Sequence, residues 1–424
     1  MVKADSDKYK NMLKEVRKLC EKLNDIIDDD IVIRILTKCQ ESVIVIGESL
    51  EKIERANEKE VLKKLQTVNK LEQLCELLYQ YSQKMERNIR KEIIRIIDNI
   101  ICDIDTIPRT YRVTFLPYKA AMWDSLESIW REFAASDECE TSVVPIPYFE
   151  ANRKTNQWDT CYEGNKYPDY VPVVNFQDYL LGQKRPDLVF VHNPFDQFNN
   201  VTTVHPAYYS AELKKSCGKL VYVPYYVNPG FISDDYNELP LLYRSDYIIV
   251  QSEKAKETCK DFPYYNRVLA LGSPKFDKVV NLYNEKVAPP EEWNINLEGK
   301  KCILLNTTLT DFLESGELLM NKLYKMFEIA LDRNDIVIVW RPHPLLKGTV
   351  KAMRPQYIEK YDELVQYFID NKVGVYDTTA DVSRAVAVSD AYVGSHYSSI
   401  IALFEVINKP IFRIDSKKFL DRIR

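Results

Sequence analysis

The sequence predicts an α/β protein made of two doubly wound parallel sheets behind an N-terminal helical region. Three observations carry this. At 424 residues the chain exceeds a single domain of roughly 100–200 residues. Hydrophobic residues at 46% and charged residues at 29% exclude disordered, collagen-like and low-complexity chains. Residues 1–107 contain a single glycine, Gly47, and no Phe or Trp, whereas from Tyr111 onward short β-branched runs alternate with longer amphipathic stretches, the rhythm of βαβ units.

In the first region Leu13, Val16, Cys20, Leu23 and Ile27 form one stripe at helical spacing, and Leu62, Leu65, Val68, Leu71, Leu74 and Leu78 another. Two or more antiparallel helices follow, with the first run ending at Asp28-Asp29-Asp30 and a break near Gly47 and Asn57. Residues 1–107 thus read as a helical bundle or oligomerisation arm through which the chain would self-associate or dock a partner. Residues 108–285 form the first α/β domain, with strands expected at 113–116, 143–146, 188–192, 220–224, 247–250 and 268–271. The passage Val287-Ala-Pro-Pro-Glu-Glu-Trp293 interrupts the pattern. Residues 300–424 form the second domain, with strands at 302–305, 336–340, 374–376, 391–393 and 411–414. Runs such as Ile336-Val-Ile-Val-Trp340 are apolar on both faces, as strands covered by helices on both sides must be. The stretch from Gln157 to Asp178 reads as a long, lid-like loop.

No apolar run approaches the ~20 residues that cross a bilayer, and the first residues lack an apolar signal core, so a cytoplasmic location is expected, with peripheral docking at the inner membrane face as the variant. The nine cysteines include no Cys-x-x-Cys pair, which predicts free thiols and no zinc knuckle; no cofactor and no metal are expected. A formal net charge of -5 argues against nucleic acid as a partner.

Ligands of doubly wound folds bind beyond the carboxyl ends of the strands, and all four histidines, His192, His205, His343 and His396, fall at or just after predicted strand ends. In the second domain Arg341-Pro-His343-Pro344 forms a proline-stiffened turn suited to an anion, with a guanidinium fork beside an imidazole. Ser395-His396-Tyr397-Ser398-Ser399 leads into an apolar helix, where hydroxyls and backbone N–H groups favour phosphate. Asn306-Thr307-Thr308 ends the first strand of that domain in the same manner. Neither a P-loop nor a dinucleotide G-x-G-x-x-G occurs. In the first domain Tyr118, Lys119 and His192 are the acceptor-side candidates, and His205 or Asp196 could take a proton from an attacking hydroxyl.

Taken in order, Tyr247-Ile-Ile-Val-Gln-Ser, Gly272-Ser-Pro-Lys275-Phe-Asp277, Arg341-Pro-His343-Pro and Ser389-Asp-Ala-Tyr-Val-Gly-Ser-His-Tyr-Ser-Ser399 resemble the CDP-glycerol glycerophosphotransferase family of teichoic acid synthesis, over residues 111–415. The resemblance implies a GT-B fold of two Rossmann-like domains, the second holding a nucleotide donor and the first presenting the acceptor. It implies that Arg341, His343, Ser398 and Ser399 bind the diphosphate of a CDP-linked donor. Where the family carries His-Gly-Thr-Pro, with the His as base, this chain has Pro224-Tyr-Tyr-Val-Asn-Pro-Gly230. The acid before Tyr-Ser-Ser is His396 here, and the downstream acid falls on Leu403, with Glu405 two places on. The expected function is transfer of a phospho-alcohol from a CDP-linked donor to a cell-envelope glycan or lipid-linked acceptor, with Arg341, His343 and Ser398 stabilising the charge on the leaving nucleotide. The alternatives are a nucleotide-sugar glycosyltransferase or epimerase on the same frame, and a non-catalytic nucleotide- or glycan-binding scaffold.

Overall fold

A computed structural model describes residues 3–23, 28–51, 58–107, 110–152, 155–228, 234–295, 297–379 and 381–414. Four antiparallel helices come first: α1 (Lys3–Lys22), α2 (Asp29–Glu51), α3 (Glu58–Gln83) and α4 (Arg87–Thr106). Buried positions along α2, Val32, Leu36, Cys39, Val43, Ile46 and Leu50, alternate in steps of four and three, the seam of a left-handed bundle. Lys10–Asp105 and Arg17–Asp98 ion pairs tie α1 to α4 in opposite directions. The bundle's apolar core is a cluster of its own. Two details differ from expectation. The acidic run starts a helix: Asp28 Oδ1 accepts the N–H groups of Asp30 and Ile31, the N-capping that Asp side chains favour. And α2 runs straight through Gly47, while Asn57 and Ile27 lie outside the described residues.

The first α/β domain is a six-stranded parallel sheet of order β2-β1-β5-β7-β8-β9. Its strands are β1 (Tyr111–Leu116), β2 (Cys139–Val143), β5 (Leu188–Val191), β7 (Lys219–Tyr222), β8 (Tyr247–Val250) and β9 (Val268–Ala270). A small antiparallel sheet of β3 (Tyr148–Asn152), β4 (Gln157–Cys161) and β6 (Thr202–Val204) adjoins it, in the order β4-β3-β6. The expected lid-like loop therefore opens with strand β4, paired along its length with β3. The helices here are α5 (Glu127–Ala135), α6 (Leu181–Lys184), α7 (Ser210–Ser216), α8 (Asp234–Asn237), α9 (Pro240–Arg244), α10 (Glu253–Glu257) and α11 (Pro274–Asn284).

The second sheet, β12-β11-β10-β13-β14, is also parallel: β10 (Lys301–Thr307), β11 (Ile336–Pro342), β12 (Gly374–Tyr376), β13 (Ala391–Ser395) and β14 (Ile411–Ile414). Its helices are α12 (Leu309–Leu331), α13 (Leu346–Met353), α14 (Ile358–Asp370), α15 (Val382–Val388) and α16 (Ile400–Val406). Alternate residues of β10 and β11 go to opposite cores. Leu305, Ile338 and Trp340 pack with α12, α13 and α14, and Leu304 and Val339 pack with α11, α15 and α16. Helix α11 thus seats Val279 in the second core although the sequence pattern assigns it to the first domain. In both sheets the strand order reverses beside the first strand, at β1/β5 and at β10/β13, and these switch points open crevices at the carboxyl edge.

Candidate active site

The second switch point gathers three of the expected turns. Asn306 on β10 stands in register with Arg341 on β11 and Gly394 on β13, and its Nδ2 donates to the Arg341 carbonyl at 2.8 Å. The His343 N–H donates to the Thr307 carbonyl at 2.8 Å, carrying the strand ladder into the proline turn. A Cβ on Gly394 would lie 2.3 Å from the Asn306 carbonyl oxygen, so only glycine lets β13 come this close. The Thr308 hydroxyl donates to Asp311 at 2.7 Å and meets the Ser395 hydroxyl at 3.1 Å. Thus Asn306, Thr307, His343 and the 395–399 turn form one polar edge, as the sequence predicts.

The side chains available there are fewer than expected. Arg341 is buried: Nη1 donates to Asp377 and to the Thr379 hydroxyl at 3.2 Å, and Nη2 to the Thr379 carbonyl at 2.7 Å. Asp377, itself buried, also accepts from Trp293 Nε1 at 3.1 Å. This guanidinium locks the end of β11 to the loop after β12, so that both Nη groups expected to meet phosphate are engaged by protein acceptors. Ser398 is buried and accepts the Ile400 N–H at 3.2 Å, and Ser395 accepts the Tyr397 N–H at 3.2 Å; both shape the turn. Ser399 and Tyr397 are exposed. His343 is half-buried, which holds its pKa below the usual imidazole value, and its Nδ1 accepts the Leu345 N–H at 3.2 Å. The neutral ring therefore carries its proton on Nε2, a donor free of that contact. His396 lies against Tyr397 with ring centroids 3.7 Å apart and the rings tilted by 40°, and its buried Nδ1 has no hydrogen-bond partner among the described residues.

The first switch point is built from rings. Tyr118, His192, Tyr225, Tyr226 and Tyr236 form a continuous edge-to-face series with centroid spacings of 5.4–6.2 Å. His192 is fully buried, and burial together with nearby Lys275 pushes its pKa down to about 3. Its Nε2 accepts the Tyr118 N–H at 3.1 Å, so Nδ1 carries the proton and faces the Ser125 hydroxyl at 2.9 Å, which donates on to the Met122 carbonyl. From its place after β5, His192 thus pins the turn after β1 through protein contacts on both ring nitrogens. Asp196 is likewise buried, accepting the Ser210 N–H at 2.9 Å and its hydroxyl at 2.5 Å at the start of α7, so both carboxylate oxygens are engaged by protein donors. His205 follows β6, accepts the Ala207 N–H at 3.3 Å through Nδ1 and packs on Phe149. Its ring is thus a turn cap in the small sheet. Lys119 is paired with Glu150 at 3.1 Å and lies over the Tyr148 ring. In the Pro224–Gly230 stretch, Val227 enters the second core, while Pro229 and Gly230 lie outside the described residues.

What the sequence reasoning did not assign is the tie between the two edges. Lys275 makes a two-pronged contact with Asp124, 2.7 and 2.9 Å, and Ser128 donates to Asp277 at 2.6 Å. Both couple the start of α11 to the segment after β1, while Lys278 reaches Asp381 of the second domain at 3.3 Å. The Gly272–Asp277 motif was the available signal, since it places Lys and Asp one helical turn inside a Pro-started helix. Beside these ties a cavity of about 610 Å³ opens, walled by Trp123, Glu127 and Arg131 on one side and Asp277, Lys278 and Asp381 on the other.

Two doubly wound sheets with helices on both faces, tied by helix α11, form a GT-B-like architecture. Residues 227–418 match the family described as CDP-Glycerol:Poly(glycerophosphate) glycerophosphotransferase. Through this segment the chain is similar to that family of transferases, in line with the motifs in its sequence. No curated protein matches its sequence. Among solved structures, the Wall Teichoic Acid Polymerase TagF is 16% identical, covering 85% of this chain and 79% of its own at a TM-score of 0.43. The S. aureus MnaA–UDP co-structure is 14% identical over 71% and 78%, TM-score 0.43. The UDP-GlcNAc 2-epimerase from Methanocaldococcus jannaschii is 15% identical over 74% and 91%, TM-score 0.44. Likenesses this distant carry no weight on substrate. Among the described residues no helix is long and apolar enough to cross a membrane.

Proposed function

We propose that the protein transfers a phospho-alcohol, glycerol phosphate or a close relative, from a CDP-linked donor to a hydroxyl of a cell-envelope glycan or lipid-linked acceptor, working in the cytoplasm at the inner membrane face. The observation that carries this reading is that the family-matched segment contains the whole second sheet, and its polar edge assembles the ends of β10, β11 and β13 at a switch point. The acceptor oxygen attacks the phosphorus bearing the alcohol, the bond from that phosphorus to the CMP oxygen breaks, CMP leaves and the hydroxyl proton passes to a base. Charge grows on the departing CMP phosphate. The Nε2–H of His343, with the exposed Ser399 hydroxyl and the first-turn N–H groups of α12, is the donor set for it. On the facing edge, the cavity beside Trp123 and Tyr170 offers aromatic faces and carboxylates, chemistry suited to a neutral polyol rather than to a diphosphate.

The test is incubation of the full chain with CDP-glycerol, CDP-ribitol or UDP-sugars and a glycan acceptor, with product masses read. A mass gain of a phospho-alcohol from a CDP donor supports the proposal. A sugar gain or an isomerised UDP-sugar replaces it with the glycosyltransferase or epimerase reading, and nucleotide binding without any product replaces it with a scaffold.

A further inference from the structure

The helical bundle takes no part in the site above, yet one of its faces is built differently from the rest. Between α2 and α3 runs a groove of about 450 Å³. Its floor and lips are apolar: Ile44 and Tyr79 are 49% and 54% exposed, and Leu65 continues the line along α3 at 53%. Its rim is acidic. Glu48, Glu51, Glu72 and Glu76 line it, with no Lys or Arg among the lining residues. This is a local property, because residues 1–107 as a whole carry 20 Lys and Arg against 21 Asp and Glu. Glu48, Glu51 and Glu72 form no ion pair among the described residues.

Gly47 adds an independent sign. It sits in the interior of a 23-residue helix, where glycine is the costliest ordinary residue after proline. A Cβ placed on it would meet nothing within 4 Å. Among the described residues nothing needs the bare backbone at that point, and it lies on the groove, where a partner's side chain could approach the helix closely.

We propose that the α2/α3 groove is a docking site for a basic amphipathic helix of a partner protein, its apolar stripe lying along Ile44, Gly47 and Tyr79 and its Lys and Arg flanks meeting the four glutamates. Charge complementarity selects this occupant. A second copy offering the same groove would set carboxylates against carboxylates, and an anionic lipid surface would be repelled.

The test uses the full chain and a fluorescent 18-residue model peptide with a leucine stripe at helical spacing and lysine flanks. Two controls accompany it: the same stripe with glutamate flanks, and the leucine/lysine composition in scrambled order. Anisotropy at about 0.1 M salt, where surface charge still acts over about 10 Å, is expected to give binding at least about tenfold tighter than either control. Gly47→Leu should weaken binding about tenfold while its thermal midpoint stays at or above that of the unchanged protein, which separates blocked docking from misfolding. The pair Glu48→Lys/Glu72→Lys should switch preference to the glutamate-flanked peptide. Equal binding of the scrambled peptide, or Gly47→Leu without effect, overturns the proposal. So does a dimer in light scattering, or adsorption to phosphatidylserine vesicles, that Gly47→Leu abolishes.

Discussion

The two carboxyl edges are made of opposite materials. The first is closed by tyrosine rings around a neutral, buried imidazole; the second is drawn tight by glycine, serine and threonine, with one half-buried histidine whose Nδ1 caps its turn. Rings fix shape and exclude water but supply no charge. Small residues let backbone amides and short hydroxyls converge, which is what a phosphate needs. The proposed division of labour between an acceptor edge and a donor edge would draw on this contrast in side-chain volumes.

The largest expected effect tests whether Arg341 is a strut. Asp377→Ala leaves a buried guanidinium uncompensated and should cost about 3–5 kcal/mol, read by urea denaturation. A variant with unchanged stability but lost nucleotide affinity would return Arg341 to the donor site. Next, His343→Ala should lower kcat/KM for the CDP donor about 100-fold with the unfolding midpoint unchanged; intact turnover would remove Nε2–H from the second edge's chemistry. Gly394→Ala forces a methyl group onto the Asn306 carbonyl and should cost about 1–3 kcal/mol, against a negligible change for Gly182→Ala, whose Cβ meets nothing within 4 Å.

At the first edge the prediction is one of pH. His192 titrates near 6.5 when unfolded and at about 3 when folded. Between those values the unfolded chain binds the extra proton, so stability is fully present above 6.5 and falls as pH drops, by up to about 1.4 kcal/mol per unit from this group. His192→Gln should flatten that slope in denaturation curves taken between pH 7 and 5. Smallest of all, Lys119→Ala removes a partly exposed pair with Glu150 and should change stability by about 0.5 kcal/mol or less; a larger loss would mean that the first edge does depend on charge.

Both sheets were legible because strands covered on two faces leave continuous apolar runs; 247–250, 374–376 and 411–414 match to the residue. The expected strand at 143–146 lies instead at 139–143, because Cys139-Glu-Thr-Ser sits at a sheet edge and lacks the apolar signal. The small sheet was missed for the same reason: β4, Gln157–Cys161, is polar and exposed. Strand-end positions of Asn306, His343 and Ser395 followed from pattern alone. The roles of Arg341, His192 and Asp196 did not, since whether a polar side chain faces a ligand or is consumed by a neighbour depends on partners 14 to 67 or more residues away in the chain. Sequence spacing carries no record of such pairs.

Helix α11 has a mechanical consequence. Its apolar side is embedded beneath the second sheet, while Lys275 and Asp277 near its start grip the segment following β1. Any swing that widens the gap between the two lobes must strain those grips before it disturbs either hydrophobic interior, so they act as the latch on a shared axle.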